Sequence, residues 1–250
     1  CASFILASGF VKSVGRSLIL DYGVNEYWMP FMTGLIFVVP LTACVWMLGQ
    51  IPPPSEADEF ERSKRSTMDH TDRKALFRRH WFGLLGLLFI YTLLTIVRSL
   101  RDDFSVEIWQ ELGVDDEPSV FARSEFWVML GVIAVNGMAI LIRNNRSALL
   151  ASLTCIGGGF VMILATLWAQ QASQLSPMAF MVLLGLGMYL PYVAFHTTVF
   201  ERLIAAFRET GTVGYLMYLA DAFGYLGYVG VMIFRNYASG EISYLDLLIW

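Results

Sequence analysis

Gln50-Ile51-Pro52-Pro53-Pro54-Ser55 opens, and Arg73-Lys74-Ala75-Leu76-Phe77-Arg78-Arg79-His80 closes, the one long charged break in an otherwise nearly continuous run of apolar sequence. The break carries Arg62, Lys64, Arg65, Arg73, Lys74, Arg78 and Arg79 ahead of the next apolar stretch. Lys and Arg gather on the cytoplasmic side of membrane helices, so this density predicts that residues 50–81 form a cytoplasmic linker and orients every apolar run around it. Within the linker, Pro52-Pro53-Pro54 predicts a stiff extended segment. Asp69 or Thr71 can cap a helix whose first turn includes Asp72 and which runs through Ala75-Leu76-Phe77 into Trp81. That helix is amphipathic and basic, which predicts that it lies on the inner membrane surface.

Composition gives the same class. Of the 250 residues, 56% are apolar and 15% charged, and the mean hydropathy is +0.58, values that exclude an ordinary water-soluble domain. The net charge of −4 conceals a strong sidedness, and no basic groove or fold motif points to nucleic acid. Cys1, Cys44 and Cys155 lie in separate apolar runs without metal spacing, so they are read as packing or lipid-facing residues. No nucleophile with an adjacent base, no His-Glu-x-x-His and no phosphate-cradling glycine loop is present; no enzyme, cofactor or metal is expected. The chain starts inside one apolar run at Cys1 and ends inside another at Trp250, so it is expected to be a fragment of a longer protein.

Crossing about 30 Å of hydrocarbon takes about 20 helical residues. Runs at about 2–20, 29–49, 82–103, 125–142, 147–170, 177–200 and 212–235 meet that length, and Trp28, Trp46, Trp81, Trp127 and Trp168 stand at their ends where indole rings prefer the headgroups. The runs are too long and continuously apolar for barrel strands, so the fold class is an all-α, polytopic transmembrane helix bundle. Each crossing flips the side. Of the 17 Lys and Arg, eleven fall on the side of the central break, only Arg101, Arg123 and Arg235 on the other, and Lys12, Arg16 and Arg98 within spans. The loop over residues 102–124 is mainly acidic, and Phe104, Ile108, Trp109 and Leu112 share one face of a short surface-lying helix that Gly113 ends.

Ionisable groups inside a bilayer are costly and mark function or pairing. Lys12 and Arg16 stand four residues apart on one helical face, which suggests an anion site to which Arg98 could add a third point. The alternative is that Arg16 snorkels to headgroups while Lys12 pairs with an acid. Asp221 lies near the middle of the last full span with Tyr218, Tyr225 and Tyr228 at spacings of three, four and seven; it is read as a proton carrier or as the partner of Lys12 or Arg98. Ala220, Gly224 and Gly227 on a neighbouring face predict close helix packing, as does Gly157-Gly158-Gly159 in its own span. Gly185, Gly187 and Pro191 predict a kinked helix that carries Tyr189, Tyr192 and His196, with Asn136 in a neighbouring span. Arg98, Arg101, Asp102 and Asp103 read as an interfacial ion network, and Glu201, Arg202, Arg143 and Arg146 as gate or interface residues.

Two spans before a long basic linker and five after it resemble helices five to eleven, and the start of twelve, of a major facilitator transporter. The phrases Gly9-Phe10-Val11-Lys12-Ser13-Val14-Gly15-Arg16, Phe200-Glu201-Arg202-Leu203-Ile204-Ala205 and Tyr218-Leu219-Ala220-Asp221-Ala222-Phe223-Gly224-Tyr225 are similar to an uncharacterised bacterial family placed near that superfamily. The turn Arg143-Asn144-Asn145-Arg146 departs from the superfamily's loop signature, lacking its glycines and its Asp-Arg pair. The resemblance implies that residues 1–49 are the last two helices of an N-terminal six-helix half. Residues 50–81 are then the linker, and 82–250 a C-terminal bundle truncated in or before its last helix. It also implies a bacterial inner-membrane transporter that moves a small polar, anionic solute by alternating access, with the lipid bilayer, the solute and protons as partners. A non-transporting receptor or scaffold of the same fold is the alternative. The topology is directly testable: single cysteines at Ser63 and Arg208 should react only from the cytoplasm, and those at Val114 and Ala238 only from outside. One reversed site would break the alternation.

Overall fold

The computed structural model describes residues 2–55, 69–115, 117–139, 141–142, 144–207, 213–237 and 243–244. Among them the elements are α1 (Ala2–Leu20), α2 (Met29–Leu48), α3 (His70–Asp103), α4 (Ser105–Glu111), α5 (Ser119–Ala139), α6 (Asn145–Gln171), α7 (Pro177–Ala194), a π-helical turn (Phe195–Val199), α8 (Phe200–Phe207) and α9 (Val213–Tyr237). Seven are long and apolar enough to cross a membrane, α7 counting together with the π-turn and the start of α8. The chain is a multi-pass helical membrane bundle. Phe82, Phe89, Trp127, Leu164, Trp168 and Phe234 stand outward and exposed, which in water would be a large penalty and in lipid is the favoured arrangement.

The 34-residue α3 would be about 51 Å long at 1.5 Å per residue, well beyond the hydrocarbon thickness. Its first turns therefore lie outside the spanning portion. The division is visible in the backbone, because His80 leaves helical geometry at φ −119° and ψ 20°. The start is fixed as its sequence predicts: the Asp69 amide donates to Asp72 Oδ2 at 3.2 Å, one of the orphan donors of a helix N-terminus satisfied by a side chain. The bond at Asp69 leaves Thr71 inside the first turn.

α7 is the centre of the bundle. Phe180, Leu184, Met188, Phe195 and Val199 are fully buried along it, and it packs against α6, α5 and α3, while α1 packs on α5 and α9 on α3. α2 packs chiefly on α1 and keeps most of its surface exposed. The short helix α4 is docked more firmly than a surface-lying helix, since Ile108 and Trp109 are buried and Trp109 meets Phe121 edge-on at 6.5 Å. Gly113, at φ +81°, ends it in the left-handed conformation that glycine accepts freely.

Small residues set the tightest crossings. A Cβ on Gly224 would stand 2.8 Å from Thr95 Oγ1, and one on Gly227 2.6 Å from Thr92 Cγ2, so the small face of α9 does pack on α3. The triplet in α6 behaves differently from its reading as a packing unit. Only Gly159 faces a neighbour, the Pro191 ring and the Gly187 carbonyl of α7, whereas Gly157 and Gly158 meet nothing within 4 Å, because three consecutive residues point about 100° apart around a helix. Replacing Gly159 by Leu should therefore cost about 1–3 kcal/mol by overpacking. Gly158→Ala should be neutral or slightly stabilising through helix propensity. Thermal unfolding of the two variants in detergent separates these outcomes.

Candidate functional site

The polar residues of the spans form one oblique chain through the bundle, built on a stripe of α3. Tyr91, Arg98 and Asp102 recur at spacings of seven and four, which keeps them on a single helical face. Arg101 and Asp103 flank that stripe and reach different neighbours. Tyr189 and Tyr192 of α7 and His196 of the π-turn follow at spacings of three and four, and Asp221 and Tyr228 of α9 at seven.

At one end, Arg101 is 1% exposed and pairs with Glu125 of α5, Nη1 to Oε1, at 2.8 Å. Its Nη2 donates to the Met181 carbonyl at 3.0 Å, and Nη1 lies 3.4 Å from Asp102 Oδ1. Tyr189 of α7 donates to Asp102 Oδ2 at 2.7 Å. Two glycines make room for this cluster. A Cβ on Gly185 would stand 2.8 Å from Arg101 Nη2, and one on Gly9 2.6 Å from Glu125 Cγ.

Arg98 is the middle link. Its Nη1 lies 3.5 Å from Asp102 Oδ2, and its guanidinium carbon sits 4.6 Å from the centre of the Tyr192 ring, a cation–π arrangement. Tyr192 in turn lies 4.4 Å from the His196 ring and 6.2 Å from the Tyr91 ring.

The far end joins three helices. Tyr91 of α3 donates its hydroxyl to Asp221 Oδ1 of α9, and the same oxygen lies 2.9 Å from His196 Nε2 of the π-turn. A phenol has one proton. With that proton given to Asp221, the remaining bond requires a proton on His196 Nε2, so imidazole, phenol and carboxylate form a directed chain in which a proton can be handed on. Tyr228 donates separately to Asp103 Oδ2 at 2.6 Å.

Lys12 projects from α1 towards this chain. Asp102, Glu125 and Asp103 attract its ammonium and Arg101 repels it, yet it makes no hydrogen bond and no ion pair among the described residues. Arg98 Nε and Glu125 Oε2 are also buried without a hydrogen-bond partner. Unpaired polar atoms at this depth call for an explanation.

Other residues singled out from the sequence sit elsewhere. Arg16 does not extend the Lys12 position inward; its Nη2 donates to the Asp115 carbonyl at 3.2 Å, in the loop beyond α4. Tyr218 is 80% exposed and Tyr225 50%. On a wheel of about 100° per residue both turn further from the Ala220–Gly224 packing face than Asp221 does. Tyr225 still lies near enough to Arg98 and Tyr192 to form a rim. Asn136 donates back to the Val132 carbonyl at 3.0 Å and lines a separate hollow of about 180 Å³ with Cys155 and Thr198. At the basic end, Arg202 donates to Asn145 Oδ1 and ties α8 to α6, while Glu201 and Arg146 are exposed. Arg143 lies outside the described residues.

Tyr91 and Glu125 are the members that sequence reading did not single out. The signal for Tyr91 was its place on the Arg98–Asp102 stripe, and for Glu125 its position at the very start of the 125–142 run. Removing one partner of a buried ion pair leaves the other uncompensated, at about 3–5 kcal/mol. Glu125→Leu and Arg101→Met should each lower stability by that order. The double variant should recover much of the loss, a coupling readable by thermal unfolding of the four proteins of a double-mutant cycle.

No curated protein and no solved structure matches the chain. A family model covers all of it, residues 1–250, under the description of a family of unknown function, DUF5690. This protein, a multi-pass helical bundle with a polar chain through its interior, belongs to that family.

Proposed function

We propose that this protein is a transporter of a small polar, anionic solute, working by alternating access with protons as the coupling ion. Its fold on this reading is like that of the major facilitator superfamily, in a bacterial inner membrane with residues 50–81 cytoplasmic. The observation that carries the reading is the incomplete neutralisation of the polar chain. A purely structural bundle would cancel its intramembrane charges in pairs, as Arg101 and Glu125 do. Among the described residues Lys12, in contrast, has no hydrogen-bond or ion-pair partner, Arg98 keeps a buried Nε without a hydrogen bond, and Asp221 is met by a phenol and an imidazole instead of a cation. An anionic group between Lys12 and Arg98 would complete the site. Arg supplies a planar fork for a carboxylate or phosphate and Lys a mobile point charge.

The His196–Tyr91–Asp221 chain supplies a place for a proton, and the π-turn that carries His196 is the kind of helix irregularity that gathers at functional sites. A carboxylate whose partner can pass it a proton can change charge without leaving the bundle, which is what coupling requires. The Arg101–Glu125 ion pair favours the second reading, a non-transporting receptor or scaffold, and the assay below separates the two.

Purified protein in proteoliposomes, screened with radiolabelled small carboxylates and phosphate esters under an imposed proton gradient, should accumulate at least one of them. Lys12→Met should weaken binding of that solute by about 10-fold or more, roughly the worth of one charge-assisted hydrogen bond. Asp221→Asn should leave the protein folded and its uptake no longer pH-dependent. The transport reading fails if no anion moves, or if Lys12→Met leaves binding unchanged.

A further inference from the structure

The basic end of the bundle holds two hollows that share a wall. One, of about 340 Å³, is mostly apolar and lies between α3, α8 and α9, lined by Leu84, Leu87, Leu203 and Leu216, with Arg79 and His80 also on its wall. The other, of about 720 Å³, lies beside the first turns of α3 and is lined by Arg73, Lys74 and Arg78 together with Tyr215 of α9. Trp81 lines both. It is half exposed, and Phe82 beside it is 79% exposed, so the junction sits where amphipathic rings meet the headgroup layer. The kinked residue His80 itself lines the apolar cavity, next to Trp81.

The charges of the outer hollow are one-sided. Among the described residues, no carboxylate lines either hollow. The Arg73 guanidinium is held 5.5 Å over the Tyr215 ring, which fixes a cation at the α9 side of the hollow. Lys74 and Arg78 stand four residues apart on one helical face, like charges whose repulsion an anion would relieve. Arg79 and His80 have interactions of their own, and the site does not depend on them.

An apolar slot that opens at headgroup level into a basic hollow matches one ligand chemistry, an acyl chain joined to a phosphate diester. We propose that this junction is a binding site for an anionic glycerophospholipid. Its phosphate sits among Arg73, Lys74 and Arg78, and one acyl chain enters the cavity between α3, α8 and α9. The lipid thereby bridges the basic segment of α3 to the spans behind it and holds the angle at His80. Clusters of basic side chains at the membrane surface attract anionic lipid at about 1 kcal/mol each; the apolar slot adds selectivity for a lipid over a free anion. The site shares no residue with the Lys12–Asp221 chain and does not rest on transport.

The test uses delipidated protein in a zwitterionic detergent, with thermal unfolding and native mass spectrometry as readouts. The probes are short-chain phosphatidylglycerol, the matching phosphatidylcholine and inorganic phosphate. Phosphatidylglycerol should raise the melting temperature and remain bound in the mass spectrometer, and the other two should do neither. The triple variant Arg73→Gln, Lys74→Gln, Arg78→Gln should weaken phosphatidylglycerol binding roughly a hundredfold, about fivefold for each basic side chain lost. Gly83 lines the cavity and a Cβ there meets nothing within 4 Å, so Gly83→Leu fills the slot without a clash and should weaken binding about tenfold with the charge unchanged. Leu203→Trp fills it from α8 and should do the same. An equal response to inorganic phosphate or to phosphatidylcholine overturns the proposal, as does a phosphatidylglycerol response that survives the triple variant or both cavity-filling variants.

Discussion

Arg101 and Glu125 meet at 2.8 Å in the interior of an apolar bundle, and the placement of the surrounding helices follows from that pair. Taking each charge out of water costs several kcal/mol even after relaxation, and only good geometry with further hydrogen bonds returns it. The geometry is supplied by four helices. α3 and α5 bring the ions, α7 adds the Met181 carbonyl and the Tyr189 hydroxyl through Asp102, and α1 comes close enough for Gly9 to touch Glu125. Gly185 leaves the space that the guanidinium occupies. A side chain at either glycine would push one helix away and strand a charge, so the packing and the electrostatics there are a single constraint.

A second constraint acts through α7, the most buried helix. Pro191 lacks an amide hydrogen and cannot bond back to the Gly187 carbonyl, and α6 approaches that same carbonyl through Gly159. Four residues later the helix widens into the π-turn at Phe195–Val199. An extra residue in a turn changes the direction in which the following side chains leave the axis. The result is that His196 reaches Tyr91 while Phe195 and Val199 stay in the core. The irregular stretch and the three-helix hydrogen-bond chain coincide, which ties the shape of the central helix to a place where a proton can pass between side chains.

The two ends of the bundle differ in kind. The Arg101 end is closed and charge-matched, whereas the basic end, with α3 bent at His80 and hollows between α3, α8 and α9, is open and one-sided in charge. Lys12 belongs with the Arg101 end, held in the field of Asp102 and Glu125 without an ion pair to either.

The sequence by itself determined the class and the spans. Apolar runs at about 2–20, 29–49 and 177–200 reappear as helices within a few residues, because in lipid a segment of that length and composition has no alternative to satisfying its backbone internally. The Asp72 position in the first turn of α3 and the small face of α9 were legible for the same local reasons, whereas the helix expected to kink at Pro191 runs through it and widens into the π-turn four residues later. Which polar residues meet was not legible. Asp221 could be read as the partner of Lys12 or Arg98, and the structure gives it Tyr91, a residue 130 positions away. Glu125 looked like the edge of a span and proves to be half of the buried pair. Tyr218 has the right spacing from Asp221 and the wrong azimuth. Periodicity along one helix fixes which residues share a face, but the partner of that face is set by how helices cross, and those crossings depend on glycines such as Gly9, Gly159 and Gly185 whose contacts lie far away in the chain.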